Sequence, residues 1–454
     1  MILTKDKSFY KTLIALALPI ALQNLITFAI GLSDNIMIGA LGDNAVSGVY
    51  MGNQIQTLLQ VFSAGIEGAI LVLSSQYWGK KDTDSIKKIS AIGLKTSILF
   101  SLLLTIICIF APKFVISLFT NDIKITNTGA EYLGIVAFSY VFFCFTQGMI
   151  AAMRSVESPR VGLYVSSVSF FVNLLFNYLL IFGKMGLPAL GIKGAAIATV
   201  ISRICEALIV SIYVFCKDKK LRLKAQELLG WDKKLLFDFV KYGTPIILGQ
   251  LVWATNMLAN SAIMGRQDLP GVVAGLSIAN TLNNLAYVVM NGMAGAVGII
   301  TGKTIGEGKE DLMREYAKTV QILFLGLGLL TGLSLQLIKA PFLTLYNVSP
   351  EATNEAYKYI NVLSVTFIGT CYQAAGLAGL VKSGGDTSFV FKLDLIFVFL
   401  VVLPLAMIAT RLGLAPWIVF AALKCDQIIK CVVAVIKINS FNWMKNLTRV
   451  KPKA

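Results

Sequence analysis

Histidine is absent from these 454 residues. Imidazole proton relays and His-ligated metal centres are therefore excluded. Charge is also scarce. Asp, Glu, Lys and Arg make up 14% of the chain, against about 25% in a soluble globular domain. The shortage is greatest for acids, with 24 Asp+Glu against 40 Lys+Arg and a formal net charge of +16. Seven cysteines (Cys108, Cys144, Cys205, Cys216, Cys371, Cys425, Cys431) are odd in number and form no CxxC pair. They read as small membrane-packing residues rather than disulfides or zinc ligands. No convincing small-residue cleavage site follows Lys5, Lys7 and Lys11, so the first apolar stretch is a span and not a removable leader. What is abundant is apolar surface: 56% of residues are hydrophobic and the mean hydropathy is +0.75. A polytopic membrane protein remains.

A membrane helix needs about 20 mostly apolar residues. Twelve segments qualify, at 12–39, 46–76, 90–111, 131–153, 161–183, 188–215, 236–264, 271–303, 316–338, 355–381, 388–410 and 413–436. With an even number of spans both termini share a side. That side, with the loops after every second span, holds about 27 of the 40 basic residues, which places the termini in the cytoplasm of a plasma-membrane protein. The expected division is an N-terminal six-helix bundle over 1–216, a basic cytoplasmic linker over 217–234 and a C-terminal six-helix bundle over 235–454. Lys217, Lys219, Lys220, Arg222, Lys224, Lys233 and Lys234 crowd that linker. They anchor topology and offer a surface to anionic headgroups. In a membrane chain the basic excess needs no nucleic-acid partner.

The halves resemble one another. Pro19, Asp34 and Gly39 match Pro245, Asn260 and Gly265 at an offset of 226. Asn53, Gly65, Gly68 and Gly79 match Asn280, Gly292, Gly295 and Gly306 at 227, and Arg154-Ser155 matches Lys382-Ser383 at 228. Six spans per repeat give both halves the same orientation. Parallel repeats of this kind belong to transporters that work by alternating access.

Several stretches then carry a family resemblance over nearly the whole chain. They are Pro19-Ile20-Ala21-Leu22-Gln23, Asp34-Asn35-Ile36-Met37-Ile38-Gly39, Gln76-Tyr77-Trp78-Gly79-Lys80, the run from Asn173 to Gly183, the run from Gly194 to Thr199, and Ser383-Gly384-Gly385-Asp386-Thr387. In this order the chain resembles the multidrug and toxic compound extrusion (MATE) family. The resemblance implies antiport in which H⁺ or Na⁺ enters while an organic, often cationic and aromatic, compound leaves. It also implies a cation site in the N-terminal bundle formed by Asp34, Asn173, Asn177 and Thr199, metal ligands if the ion is Na⁺. The family often has an acid on the fifth span where this chain has Asn177.

The residues themselves point the same way. A charged side chain at the bilayer centre costs about 2.5–3.5 kcal/mol on insertion scales, so Asp34 needs a partner, a proton or an ion. Its repeat mate, Asn260, cannot titrate, so coupling is unequal between the halves. Asn173 and Asn177 are four apart and share a helical face, although interhelical hydrogen bonding explains them as well. Glu67, whose repeat mate is Ala294, is a candidate cavity acid. Arg203 with Glu206, and Asp426 with Lys430, are spaced to pair along a helix. Asp394 is a secondary coupling candidate. Polar and aromatic residues expected around the substrate are Asn53, Gln54 and Gln147 from the first half. From the second come Trp253, Asn280, Asn284, Tyr287, Tyr372 and Gln373.

An enzyme is not expected, since there is no phosphate-cradling glycine loop and no soluble domain to hold a nucleotide. No cofactor is implied beyond the coupling ion. The partners expected are a small-molecule substrate and the bilayer, with the chain acting as a monomer. The alternative is a lipid-linked oligosaccharide flippase of a related superfamily. The unpaired intramembrane charges, Asp34 and Glu67, are acidic, which favours a cationic substrate over a pyrophosphate.

Overall fold

The computed structural model describes residues 3–449 except positions 268, 345 and 347, and among them every regular element is helical. The extreme ends of the two expected bundles lie outside the described residues. The first half comprises α1 (Lys7–Gly39), α2 (Asp43–Gly79), α3 (Thr83–Phe110), α4 (Pro112–Ser117), α5 (Ile123–Val136), α6 (Ser139–Ser155), α7 (Arg160–Phe182) and α8 (Ile192–Ile212). A π-helical turn, Tyr213–Lys217, and a 3-10 turn, Ala225–Leu229, lead into the second half. That half comprises α9 (Lys233–Gly265), α10 (Val272–Gly306), α11 (Glu310–Leu343) and α12 (Pro350–Gln373), then α13 (Thr387–Ile396), α14 (Leu403–Arg411), α15 (Pro416–Leu423) and α16 (Asp426–Ser440). π-helical turns at Ala374–Lys382 and Phe397–Val402 extend α12 and join α13 to α14.

Among the described residues ten helices are long and apolar enough to cross a membrane, counting α13, the π-helical turn and α14 as one, and α5 with α6, bent by 51°, passes the same test as a pair. The expected span 131–153 is thus a bent pair that begins earlier, at Ile123. The expected twelfth, 413–436, is split. Neither α15 nor α16 is long enough alone, because the helix breaks at Lys424–Cys425. There the Lys424 and Cys425 amides bond the Ala421 and Ala422 carbonyls at 3.1 and 3.3 Å, one residue tighter than an α-helix.

Local chemistry accounts for the element ends. Asp82 accepts from the Ser85 amide at the start of α3, and Asp122 accepts from the Lys124 and Ile125 amides at the start of α5. Ser349 caps α12 ahead of Pro350, where a missing N–H costs nothing. Gly183, with φ of 65°, ends α7 in the left-handed region.

The chain forms two compact units. The first is Met1–Ala21, Ser75–Lys81 and Thr244–Ala454; the second is Leu22–Ser74 and Asp82–Gly243. Helix α1 leaves the first unit after Ala21, two residues past Pro19, and α9 leaves the second after Gly243, two residues before Pro245. The repeat-mated prolines therefore stand where the helices pass between units. Each removes one backbone hydrogen bond and permits a bend. In the second unit Leu59, Ile116, Leu133, Val136, Ala137, Tyr140 and Cys144 form a buried core.

In the first unit the glycine end of α2 lies against the glycine end of α10. A Cβ on Gly79 would overlap the Lys303 carbonyl, and one on Gly306 would overlap the Gln76 carbonyl. The fully buried Gln76 side chain then ties down residues 441–449. Its Nε2 donates to the Lys445 carbonyl at 3.2 Å and the Ser383 carbonyl at 3.4 Å, while its Oε1 accepts from the Leu447 amide at 2.7 Å. Trp443 is buried and donates to the Ile438 carbonyl at 2.9 Å. Asp386, outside the spans, meets Lys437 at 2.7 Å and Lys445 at 2.9 Å. Burial alone would raise its carboxyl pKa, but the two ammonium groups outweigh burial and hold it below the ordinary value.

Candidate cation and substrate sites

The second unit brings three of the expected cation residues, Asp34, Asn173 and Asn177, into contact. Helix α1 supplies Asp34, α7 supplies Asn173 and Asn177, and α8 supplies Thr199. Asn177 Nδ2 donates to Asp34 Oδ1 at 2.5 Å and to Asn173 Oδ1 at 3.0 Å. Both asparagines are almost fully buried and Asp34 is half-buried. The Asn177 carbonyl oxygen, buried beside the carboxylate, has no hydrogen-bond partner. Unsatisfied buried acceptors are rare and ask for a ligand or an ordered water. Thr199 Oγ1 donates to the Ala195 carbonyl at 3.0 Å.

Two further residues join this group that sequence reasoning did not place there. Tyr132 of α5 interacts with Asp34, Arg203 and Thr199, and its hydroxyl donates to Asn53 Oδ1 at 3.3 Å. Arg203 of α8 lies within electrostatic range of Asp34. Its guanidinium is held by Glu206 at 2.8 and 2.9 Å and sits 4.9 Å from the Phe143 ring centroid. The Arg203–Glu206 pair was legible from its spacing. Its place in the field of Asp34 was not, since the two residues lie on helices far apart in sequence.

Glu67 belongs to a separate group in the same unit. It accepts from Ser63 Oγ at 3.1 Å and lies in the field of Arg154. Arg154 Nη2 donates to Gln23 Oε1 at 2.7 Å, leaving its Nε without a partner. Each intramembrane acid thus has an arginine in its electrostatic surroundings, although neither has one within ion-pair distance among the described residues.

The remaining cavity candidates differ in exposure. Gln54 and Gln147 are half-buried in the second unit. In the first unit Trp253 and Asn284 are exposed, and Asn280 and Tyr287 are half-buried. Tyr287 packs edge-on to Phe367 with centroids 5.6 Å apart. Tyr372 and Gln373 are buried and occupied. Tyr372 donates to Gln321 Oε1 at 2.6 Å, and Gln373 Nε2 donates to the Asp426 and Gln427 carbonyls at 2.9 and 2.7 Å. Gln373 thereby satisfies two carbonyls at the start of α16. Asp394 is ion-paired with Lys430 at 2.9 Å. The repeat mate of Asp34, Asn260, keeps a buried carbonyl oxygen without a partner, as does Asn256 one turn earlier.

The MatE family model matches residues 19–179 and 245–408, one block in each sequence half. The chain is 23% identical to the probable multidrug resistance protein NorM of Thermotoga maritima, over 98% of this chain and 95% of that one. It is 25% identical to the multidrug resistance protein MdtK of Pectobacterium atrosepticum, over 87% and 86%. Among solved structures, that of MATE in the bent conformation superposes with a TM-score of 0.85 at 16% identity, covering 97% of this chain and 98% of that one.

Proposed function

Because the chain belongs to the MatE family of multi-pass membrane transporters, we propose that it is a cation-coupled antiporter. It exports organic compounds across the plasma membrane by alternating access, with both termini in the cytoplasm. The observation that carries the coupling assignment is the Asp34–Asn177–Asn173 chain with its unsatisfied Asn177 oxygen. A carboxylate beside an unpartnered buried carbonyl suits a cation. Hard cations take oxygen ligands, and a proton on Asp34 would turn an acceptor into a donor toward a neighbouring oxygen. Entry of H⁺ or Na⁺ neutralises Asp34 and releases the Asn177 amide. The packing of α1 against α7 then changes, with Pro19 as the point of bending. Loss of the ion to the cytoplasm restores the charge and the drug-binding form. The drug-resistance names of the relatives support a multidrug substrate range and do not favour the flippase alternative.

The test is efflux of a fluorescent organic cation from proteoliposomes under an imposed Na⁺ or pH gradient. Asp34→Asn should abolish gradient-driven efflux while folding is retained. Retained efflux would remove Asp34 from the mechanism. Drive by Na⁺ alone would make Asn173, Asn177 and Thr199 ligands beside Asp34, and drive by pH alone would make Asp34 the proton carrier.

A further inference from the structure

Helices α12, α15 and α16 of the first unit border a groove of about 690 Å³, within the range of about 300–1,000 Å³ usual for small-ligand sites. Lys358, Asn361 and Val365 of α12 line it at i, i+3 and i+7, so they share one helical face. The opposite face of α12, with Tyr359, Ile360 and Leu363, is buried in the bundle. Across the groove stand Trp417 and Ala421 of α15 and Ile428 of α16. The small Ala421 and Cys425 at the α15–α16 break leave the room. The groove opens away from the bundle, since Val365 is 57% exposed and Ile428 49%. In a bilayer that face meets lipid.

The lining is apolar along most of its length and charged at one end. From Lys358 to Thr366 the groove follows α12 for about 12 Å. Lys358 Nζ lies 2.7 Å from Glu355 Oε1. Asn361 Oδ1 accepts from Lys339 Nζ at 2.7 Å and from Gln336 Nε2 at 3.1 Å. Lys339 also donates to Gln336 Oε1, so it is held by two amide side chains and, among the described residues, by no acid. These contacts join two lysines to one carboxylate and leave one positive charge in excess. Each ammonium has three donors. Lys358 uses one on Glu355 and Lys339 uses two on the amides, so N–H groups of both remain for a ligand.

We propose that this groove binds one anionic phospholipid, such as phosphatidylglycerol, with an acyl chain between α12 and the α15–α16 break and the phosphate at Lys358 and Lys339. An apolar body ending in excess positive charge complements a lipid whose headgroup carries a phosphate and no amine. The chain fills the apolar lining, and the phosphate oxygens accept from the ammonium groups, compact point-charge donors suited to them. Phosphatidylcholine brings its own cation, which the lysines repel. Long lysine side chains reach along apolar surface to a headgroup. The site requires only that the chain spans a bilayer, so it stands apart from the export reading.

Trp417 reports occupancy directly, because bromine on an acyl chain quenches an indole that it touches. The full chain is reconstituted in phosphatidylcholine vesicles containing a small, varied fraction of brominated phosphatidylglycerol or brominated phosphatidylcholine. The Trp417 signal is the difference between wild type and Trp417→Phe. Half-maximal quenching should need about tenfold less phosphatidylglycerol than phosphatidylcholine, the scale of one charged hydrogen bond. Lys358→Gln with Lys339→Gln should bring the two lipids within about twofold. Lys358→Arg with Lys339→Arg should keep the preference, which separates charge from folding. Ala421→Phe, which fills the groove beside Trp417, should also remove the preference although both lysines remain. Equal quenching of the wild type by the two lipids would make the groove ordinary lipid-facing surface and overturn the proposal. A preference that survives the glutamine pair would overturn the headgroup assignment, and one that survives Ala421→Phe would overturn the groove.

Discussion

Gly306→Ala isolates the packing between α2 and α10. A Cβ there would overlap the Gln76 carbonyl oxygen and stand 2.7 Å from its carbon and 2.9 Å from its Cα. All three atoms are backbone, so no rotamer change relieves the clash. Ordinary contact begins near 3.4 Å, and the helix ends must part by about 1.5 Å to reach it. Overpacking of this kind costs about 1–3 kcal/mol. Intrinsic helix propensity works the other way, favouring alanine by about 0.5–1 kcal/mol. Gly326→Ala supplies the control, since nothing lies within 4 Å of its Cβ position. The assay is thermal unfolding of both variants in one detergent. Gly306→Ala should melt below wild type and Gly326→Ala at or above it. A Gly306→Ala protein that melts with or above the control would refute the close packing. The repeat relation adds a check: Gly79→Ala meets the Lys303 carbonyl and stands 2.8 Å from the Glu307 amide nitrogen, so it should behave like Gly306→Ala.

Two other substitutions probe the residues tied to Gln76. Gln76→Ala strips partners from the Ser383 and Lys445 carbonyls and the Leu447 amide; at about 1–3 kcal/mol for each group left buried and unsatisfied, trypsin should cut at Lys445 and Arg449 at least several-fold faster than in wild type, and an equal rate would show that the segment is held otherwise. Asp386→Asn removes both lysine contacts. Because the folded carboxyl pKa lies below its ordinary 3.8, its contribution is present above that pH and is lost as pH falls through the folded value. The stability gap between wild type and variant should stay constant from about pH 5 upward and narrow only below about pH 3.8; a gap that closes near neutral pH would contradict this.

Residues of the fold and site differed in how legible they were. The spans were readable because 56% hydrophobic content leaves few charged breaks, and each break is local. The bend between α5 and α6 was not, since no proline or glycine marks residues 137–138. Asp34 stood out as a carboxyl in an apolar run, and Asn173 and Asn177 as one helical face. Tyr132 carried no such mark, because tyrosine is common in membrane spans and only its hydrogen bond to Asn53 and its place in the field of Asp34 distinguish it. Gln373 was read as a cavity residue from its type, whereas its amide is committed to the carbonyls at the start of α16.

The sequence by itself determined the membrane class, the all-helical architecture, the half-chain repeat and the family. These follow from composition, from the run length a bilayer requires and from residue identities at a nearly constant offset. Only the tertiary structure decided the electrostatic partners. Asn177 reaches Asp34, Arg154 reaches Gln23 and Lys430 reaches Asp394, each from another helix. The physical reason is that pairing depends on distances of a few ångströms across helix interfaces. A linear pattern specifies which face a residue occupies, but the packing of one helix on another sets what that face meets.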